Sequence, residues 1–183
     1  MLKKRDFTDC FSLYEQMTHP DVFPFVRHKV DSYEEYVFIT KQTIEAEDAG
    51  QLISRTILDE WENPIGCISL YDIENGAGFL GTWLGKPYHG KGYNAIAKDA
   101  FFKELFSSSV WKRSSCVFAK NIRSIKAAEK LPYAVNANET RKSLYDQINH
   151  EGDIYDLYEI PKDLYTFHIL RQHDDDEQQL LEA

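Results

Sequence analysis

The sequence predicts an α/β protein, more narrowly α+β, built on a mixed, mostly antiparallel sheet with helices packed against it. Three observations carry that prediction. Two capped segments with helical apolar spacing open the chain. Three short apolar runs divided by tight-turn clusters follow. A run ending in Trp83-Leu84 then passes through a glycine-bearing loop into a long segment with an apolar stripe. A helix repeats its apolar residues every three or four positions and a strand alternates them, so a change of period marks a change of element.

The first helix is expected after Asp9, whose side chain can accept from the free N–H groups of a first turn. Phe11, Leu13, Tyr14 and Met17 recur near helical spacing, and Pro20 stops the run. Ser32 and Glu35 form a capping-box pair. They open a second helix carrying Tyr36, Val37, Ile39, Thr40 and Ile44, which ends near Gly50. Leu52 to Leu58 reads as a strand, Asp59 to Pro64 as a turn, and Ile65 to Tyr71 as the next strand. Asn75-Gly76-Ala77-Gly78 makes a second turn and Phe79 to Leu84 a third strand. Three strands joined by tight turns favour an antiparallel meander. Beyond the loop Gly85 to Gly92, the residues Ala95, Ala97, Ala100, Phe101, Leu105 and Phe106 mark a helix. Ser114 to Ala119 is a strand, and Asn121 begins a helix through Ile122, Ile125, Ala128 and Leu131. Alternation at Arg141 to Leu144 and at Ile154 to Ile160 predicts a closing hairpin, and Tyr165 to Leu170 a last strand.

A length of 183 residues suits one domain, placed over residues 1–172. Residues 173–183 begin His173-Asp174-Asp175-Asp176-Glu177 and read as an acidic, flexible tail. Hydrophobic residues at 43% supply a core, which excludes global disorder. A net charge of -9 has the wrong sign for a broad nucleic-acid footprint, so no nucleic acid is expected as partner. The same charge suits cationic partners such as amines. Cys10, Cys67 and Cys116 lie far apart with no Cys-x-x-Cys pair, which argues against a disulfide framework or a zinc knuckle. No metal is expected, and reduced thiols point to a cytoplasmic location. Met1 to Asp6 lacks the apolar run of a signal peptide, and no stretch approaches the roughly 20 apolar residues of a membrane span.

The chemistry concentrates in Trp83-Leu84-Gly85-Lys86-Pro87-Tyr88-His89-Gly90-Lys91-Gly92-Tyr93-Asn94. The first turn of a helix leaves N–H groups unpaired, and the helix dipole adds partial positive charge there. A pyrophosphate can dock on such a site. Gly90 and Gly92 remove side chains that would keep a phosphate off the backbone, and Lys91 adds charge. A Gly-x-Gly alone is a weak signal, and the plain alternative is a turn with glycines for shape. Gly92 stands where a nucleotide-triphosphatase loop needs Ser or Thr, and no third glycine completes a dinucleotide fingerprint.

This segment resembles the coenzyme A loop of the GCN5-related N-acetyltransferase (GNAT) superfamily, whose pattern is Gln/Arg-x-x-Gly-x-Gly/Ala. More closely it is similar to the ribosomal-protein N-terminal acetyltransferase branch. His89-Gly90-Lys91-Gly92-Tyr93-Asn94-Ala95-Ile96-Ala97 stands where that branch often carries Trp-Gly-Lys-Gly-Tyr-Ala-Thr-Glu-Ala. A second motif follows in the family's order: Asn121-Ile122-Arg123-Ser124, then Glu129-Lys130-Leu131-Pro132-Tyr133, in place of Asn-x-x-Ser and Glu-Lys-Leu-Gly-Phe. Gly66 also fits a strand phrase of the family. The resemblance runs from the first helix to about Ile160. His89, Asn94, Ile96, Pro132 and Tyr133 depart from the pattern, which bears on the acceptor more than on a loop that binds through its backbone.

The resemblance implies helices on both faces of the sheet. It implies an N-acetyltransferase that uses acetyl-CoA as cosubstrate and passes the acetyl group, by direct attack, to the primary amine of a peptide N-terminus or a small molecule. It assigns Leu84, Gly85, His89, Gly90, Lys91, Gly92, Tyr93, Asn94 and Asn121 to the coenzyme, with free N–H groups near Trp83 to Gly85 holding the pantetheine arm. Ser124 is the implied proton donor to the departing thiolate, or else a helix serine bonding its own backbone. Asn121 also reads as an N-cap. Tyr133 is an alternative acid or, the better reading, a core aromatic. The base is unassigned among Glu34, Glu35, Asp72, Glu74, His28, His89 and water, and each of these side chains also reads as a surface group. Val22 to Val26 lines an acceptor pocket or packs the core. The alternative of another class is a catalytically inactive acyl-CoA-binding regulatory or interaction protein. A third reading is an enzyme whose acidic cleft holds an aminoglycoside-like polycation. A homodimer stays open.

Overall fold

The computed structural model describes residues 1–74, 77–107, 115–119, 122–149 and 155–181. They belong to two compact units, Met1–Glu74 with Gly78–Ser108 and Asn75–Ala77 with Ser109–Ala183.

The first unit holds β1 (Leu2–Lys4), α1 (Cys10–Met17), α2 (Tyr33–Asp48), β2 (Ile53–Leu58), β3 (Pro64–Glu74), β4 (Ala77–Leu84) and α3 (Tyr93–Ser107). The strands lie side by side in the order β1-β2-β3-β4. Thr56 stands opposite Lys3 on one side and Cys67 on the other, both pairings antiparallel. The expected meander is therefore present, extended by β1, which charged Lys3 and Lys4 hide from a reading of apolar period. Lysines on an edge strand discourage further pairing.

Ser54 to Leu58 and Ile65 to Leu70 are buried without interruption. Successive side chains of a strand point to opposite faces, so both faces are covered. On one, Cys67 packs with Cys10, Leu13 and Met17 of α1 and Tyr36 of α2. α3 packs against β1 and β3 and buries Ala97, Phe101, Phe102, Leu105 and Phe106. Helices thus flank the sheet on both faces.

The helix starts follow local chemistry. The Ser32 hydroxyl accepts from the Glu35 N–H at 3.1 Å, and the Glu35 carboxylate accepts from the Asp31 N–H at 2.8 Å, one residue before the cap. The expected cap at Asp9 is corrected. Asp6 accepts from the Thr8 N–H at 2.7 Å and opens a short 3-10 turn, while buried Asp9 pairs with Lys3 at 2.8 Å. Two arginines of this unit, partly buried Arg5 and buried Arg55, are held by side chains. Arg5 donates to the Cys67 sulfur, to the Tyr36 hydroxyl at 3.3 Å and to the Thr40 hydroxyl at 3.2 Å. Arg55 of β2 donates to Glu47 of α2 at 2.6 Å and to Glu104 of α3 at 2.9 Å.

The second unit holds β5 (Ser115–Ala119), α4 (Ile122–Glu129), β6 (Val135–Asn136), α5 (Lys142–Ile148), β7 (Asp156–Ile160) and α6 (Lys162–Leu181). β7 pairs antiparallel with β5, Tyr158 opposite Val117, and with β6, Tyr158 opposite Asn136. Two expectations are overturned here. Arg141 to Leu144 is not a strand but runs into α5, because four residues cannot separate the two periods and Leu144, Tyr145 and Ile148 recur at helical spacing. Tyr165 to Leu170 lies inside α6. Pro161 precedes the helix, its carbonyl accepts from the Tyr165 N–H at 3.0 Å, and Tyr165 is buried edge-on to Tyr133 with ring centroids 5.0 Å apart. The helical backbone continues to Leu181, through residues read from the sequence as a flexible tail. Asn75, Gly76, Ser114 and Asn121 lie outside the described residues. Among the described residues no helix is long and apolar enough to cross a membrane.

Candidate functional site

The candidate site is built on the passage from β4 to α3. At the end of β4, the Gly85 N–H donates to the Ile65 carbonyl at 2.8 Å. A Cβ at Gly85 would strike the side chain of Gln16, whose amide donates to the Pro64 carbonyl at 2.7 Å. Gly85 is therefore a packing glycine between β4 and α1. This corrects the expectation that its N–H is free for the pantetheine arm. A 3-10 turn follows at Lys86–Tyr88, with Lys86 paired to Asp21. His89 turns back so that its Nε2 donates to the Leu84 carbonyl at 2.9 Å. A carbonyl oxygen only accepts, so this bond assigns the proton to Nε2. His89 thus ties the loop to its own strand.

Gly90 and Gly92 have φ of 76° and 88°, in the left-handed region that side chains disfavour. Open space lies where a Cβ would stand on either. α3 starts immediately after, and Ala95 and Ile96 donate to the Gly92 carbonyl at 3.0 and 3.3 Å. Among the described residues, the N–H groups of Gly90, Lys91, Gly92, Tyr93 and Asn94 donate to no backbone carbonyl. Five successive N–H groups without a backbone acceptor, at the positive end of a helix dipole and beneath open space, form a cradle for an anion.

The side chains around the cradle have varied tasks. The Lys91 ammonium stands 5.9 Å from the centroid of the Tyr88 ring. Tyr88 meets Tyr93 edge-on at 5.6 Å. The Tyr93 hydroxyl donates to Glu60 of the β2–β3 turn, and that bond to a carboxylate pushes the phenol up to about 12. The Asn94 Oδ1 is buried and has no hydrogen-bond partner among the described residues. One turn further on, Lys98 is 5% exposed, and its ammonium has no ion-pair or hydrogen-bond partner among the described residues. Burial alone pushes it down to about 8. The sequence reading missed Lys98 by tracing the apolar stripe through Ala97 and Phe101. Its signal was a lysine set inside that stripe, four residues after Asn94.

The remaining candidates separate. Ser124 lies in the first turn of α4, in the second unit. Tyr133 is buried against Tyr165, as the core reading expects. Val22 and Val26 are buried in the α1–α2 core, while Phe25 between them is exposed. Glu35 is occupied as a cap. Asp72, at φ 52°, pairs with Arg27 at 2.9 Å, and Arg27 stands 4.5 Å over the Tyr71 ring. His28 meets the same ring edge-on at 5.9 Å, and burial together with the Arg27 charge holds its imidazole below the usual histidine range.

Residues 2–133 match the family model described as the acetyltransferase (GNAT) domain. No curated protein matches the chain by sequence. Several solved structures share the fold. Ribosomal-protein-S5-alanine acetyltransferase from Vibrio fischeri is 19% identical at a TM-score of 0.71, over 88% of this chain and 92% of that one. The acetyltransferase from Salmonella typhimurium that modifies the N-terminal serine of ribosomal protein L7/L12 is 17% identical at 0.67, over 87% and 92%. Spermidine N-acetyltransferase from Vibrio cholerae, in complex with CoA and spermine, is 12% identical at 0.68, over 91% and 97%. At such identities the likeness is one of fold.

Proposed function

Because this chain belongs to the acetyltransferase (GNAT) family, we propose that it transfers the acetyl group of acetyl-CoA to a primary amine, with residues 1–172 acting as one catalytic domain in the cytoplasm. The observation that carries the proposal is the row of N–H groups from Gly90 to Asn94, without a backbone acceptor among the described residues, at the start of α3 where Gly90 and Gly92 leave open space. These groups fit the diphosphate of coenzyme A. His89 serves by holding the loop against Leu84, and Gly85 by letting β4 close on α1. Lys91 and Tyr93 flank the anion, and Asn121 belongs to the same coenzyme set.

In the transfer, the amine nitrogen attacks the thioester carbon. A carbon–nitrogen bond forms and the carbon–sulfur bond breaks. The amine gives up one proton, and the departing thiolate takes up another. Ser124 is the proposed donor to sulfur. His28 is a candidate for accepting the amine proton: burial and the Arg27 charge lower its imidazole and so favour the neutral form. The acceptor class that fits is a peptide N-terminus or a small cationic amine. A chain of net charge -9 favours the approach of such groups.

Calorimetry with coenzyme A, followed by thiol release from acetyl-CoA across a panel of peptide and polyamine acceptors, tests this reading. Binding with turnover is expected. Binding without turnover on any amine would favour the inactive acyl-CoA-binding alternative, and absence of binding would end both. Gly92→Val should weaken coenzyme A at least about tenfold, since a residue with a side chain at that φ costs about 1–3 kcal/mol and its methyls shield the amides. Equal affinity would remove the cradle from the site. Ser124→Ala should lower kcat by up to about a hundredfold with coenzyme affinity unchanged, because the proton is needed only as the bond breaks. Wild-type kcat across the pH range would refute the donor role.

A further inference from the structure

We propose that Lys98 is a coenzyme-binding residue whose ammonium, reached through the first turn of α3, supplies the counter-charge to the diphosphate held on the Gly90–Asn94 amides. This rests on the reading that the cradle takes coenzyme A. A lysine is almost never buried unless it is paired, because desolvation of an ammonium costs far more than its stem gains. The arginines of this unit obey that rule: partly buried Arg5 has three side-chain acceptors, and buried Arg55 has two carboxylates. Lys98 has none among the described residues.

The position of Lys98 says where its partner belongs. It lies five residues after Tyr93, the first residue of α3. That is roughly 7.5 Å of helix rise, which a lysine stem laid back along the helix can span. Helical side chains do lean toward the N-terminus, so the stem leads to the cradle and away from the Phe101–Phe106 core. Four residues nearer the cradle, on the same helix face, the Asn94 Oδ1 is a buried polar atom without a partner among the described residues. A bound diphosphate completes this pair: its oxygens accept from the Lys98 ammonium, and the ammonium in turn donates to Asn94.

Among the described residues no other charge sets the state of Lys98. On β1, Lys3 is paired with Asp9, and Lys4 is exposed. On β2, Arg55 is held by Glu47 and Glu104; on β3, Cys67 is held by Arg5 and Asp72 by Arg27. In the loop, Lys91 lies on Tyr88, and Tyr93 on Glu60. Asp99, Lys103 and Glu104 are the charged residues that follow Lys98 on α3, and burial is the sole cause of its lowered value. An anion bound beside it favours the protonated form, so coenzyme binding should take up protons near pH 8.

The test is calorimetry with coenzyme A from pH 6.5 to 9.5 on the wild type and on Lys98→Met, which keeps the stem and removes the charge. For the wild type, affinity should fall as pH rises through 8, with proton uptake visible as a dependence of heat on buffer. Lys98→Met should bind about tenfold more weakly at pH 7, with an affinity that stays flat to pH 9 and meets the wild type there. A melting curve of the variant separates loss of the ligand contact from loss of fold; the variant should melt no lower than the wild type. If Lys98→Met binds coenzyme A as tightly as the wild type with the same pH profile, Lys98 is not part of the site, and the amide cradle stands without it. If the wild type does not bind coenzyme A at all, the functional reading itself has failed.

Discussion

Near its C-terminal end, α3 presents Glu104 to Arg55 of β2, whose guanidinium also holds Glu47 of α2; near its N-terminal end, α3 presents Lys98 to no counter-charge among the described residues. The two cations are almost equally hidden, at 7% and 5% exposure. Their electrostatic states nevertheless diverge. Bonds to two carboxylates outweigh the burial of Arg55 and raise it further above its ordinary value, whereas burial alone brings Lys98 down to about 8. A guanidinium presents several donors in a plane and can bind two carboxylates at once, while an ammonium is a compact charge that gives up its proton when desolvated. One end of the helix therefore ties three elements together. The other leaves an unmet polar demand beside an open loop, as is common where a site is arranged for a ligand at the expense of stability.

The comparison breaks most readily at Arg55. Arg55→Ala leaves Glu47, nearly buried, without its cation, and strands Glu104 on the helix surface. Breaking a buried pair typically costs about 3–5 kcal/mol. The lower end of that range is expected here because Glu104 is half exposed. Urea denaturation at pH 7 measures it, and a loss under about 1 kcal/mol would show that the far end of α3 is not held by this network.

Lys98→Met should act with the opposite sign and a smaller size. The folded-state value of about 8 lies below the ordinary lysine value of 10.5. The charged form is thus penalised in the folded chain at every pH below 8, and the penalty fades as pH rises from 8 toward 10.5. At about 1.4 kcal/mol per unit, the upper bound is on the order of 3 kcal/mol, and local relaxation should leave about 2. The variant should therefore be more stable than the wild type at pH 7, and the two should converge by about pH 10. Matched denaturation curves at these two pH values decide it; a variant less stable at pH 7 would mean that Lys98 has a stabilising partner and that the contrast between the helix ends is false.

The residues that could be read in advance share a feature. The Ser32–Glu35 cap, the turn at Asp59 to Pro64, the three strands of the meander and the passage from Leu84 through Gly92 into α3 all depend on neighbours within a few positions. The elements that escaped are short or take their identity from a distant surface. β1 is three residues long, α5 is seven, and α6 shows its helical face only once Tyr165 is seen against Tyr133. The site divides in the same way. Gly90 and Gly92 were legible because their demand is conformational and local. The roles of Gly85 and His89 were not, since Gly85 is fixed by Ile65 and Gln16, and the ring of His89 could have turned outward toward a ligand as readily as back to Leu84.

By itself, then, the sequence determined the order of elements from α1 through α4, the loop that meets an anion, and the family whose motifs that loop and α4 carry. Those features are written in hydrophobic period, cap chemistry and glycine placement, each a property of a short stretch of chain. The tertiary structure alone decided which N–H groups are left without a backbone acceptor, which glycine serves packing, and that one lysine of α3 is buried without a counter-charge among the described residues. Burial and partnership depend on what other segments bring to a side chain, and Lys98 is spelled like any surface lysine until β1 and β3 lie against its helix.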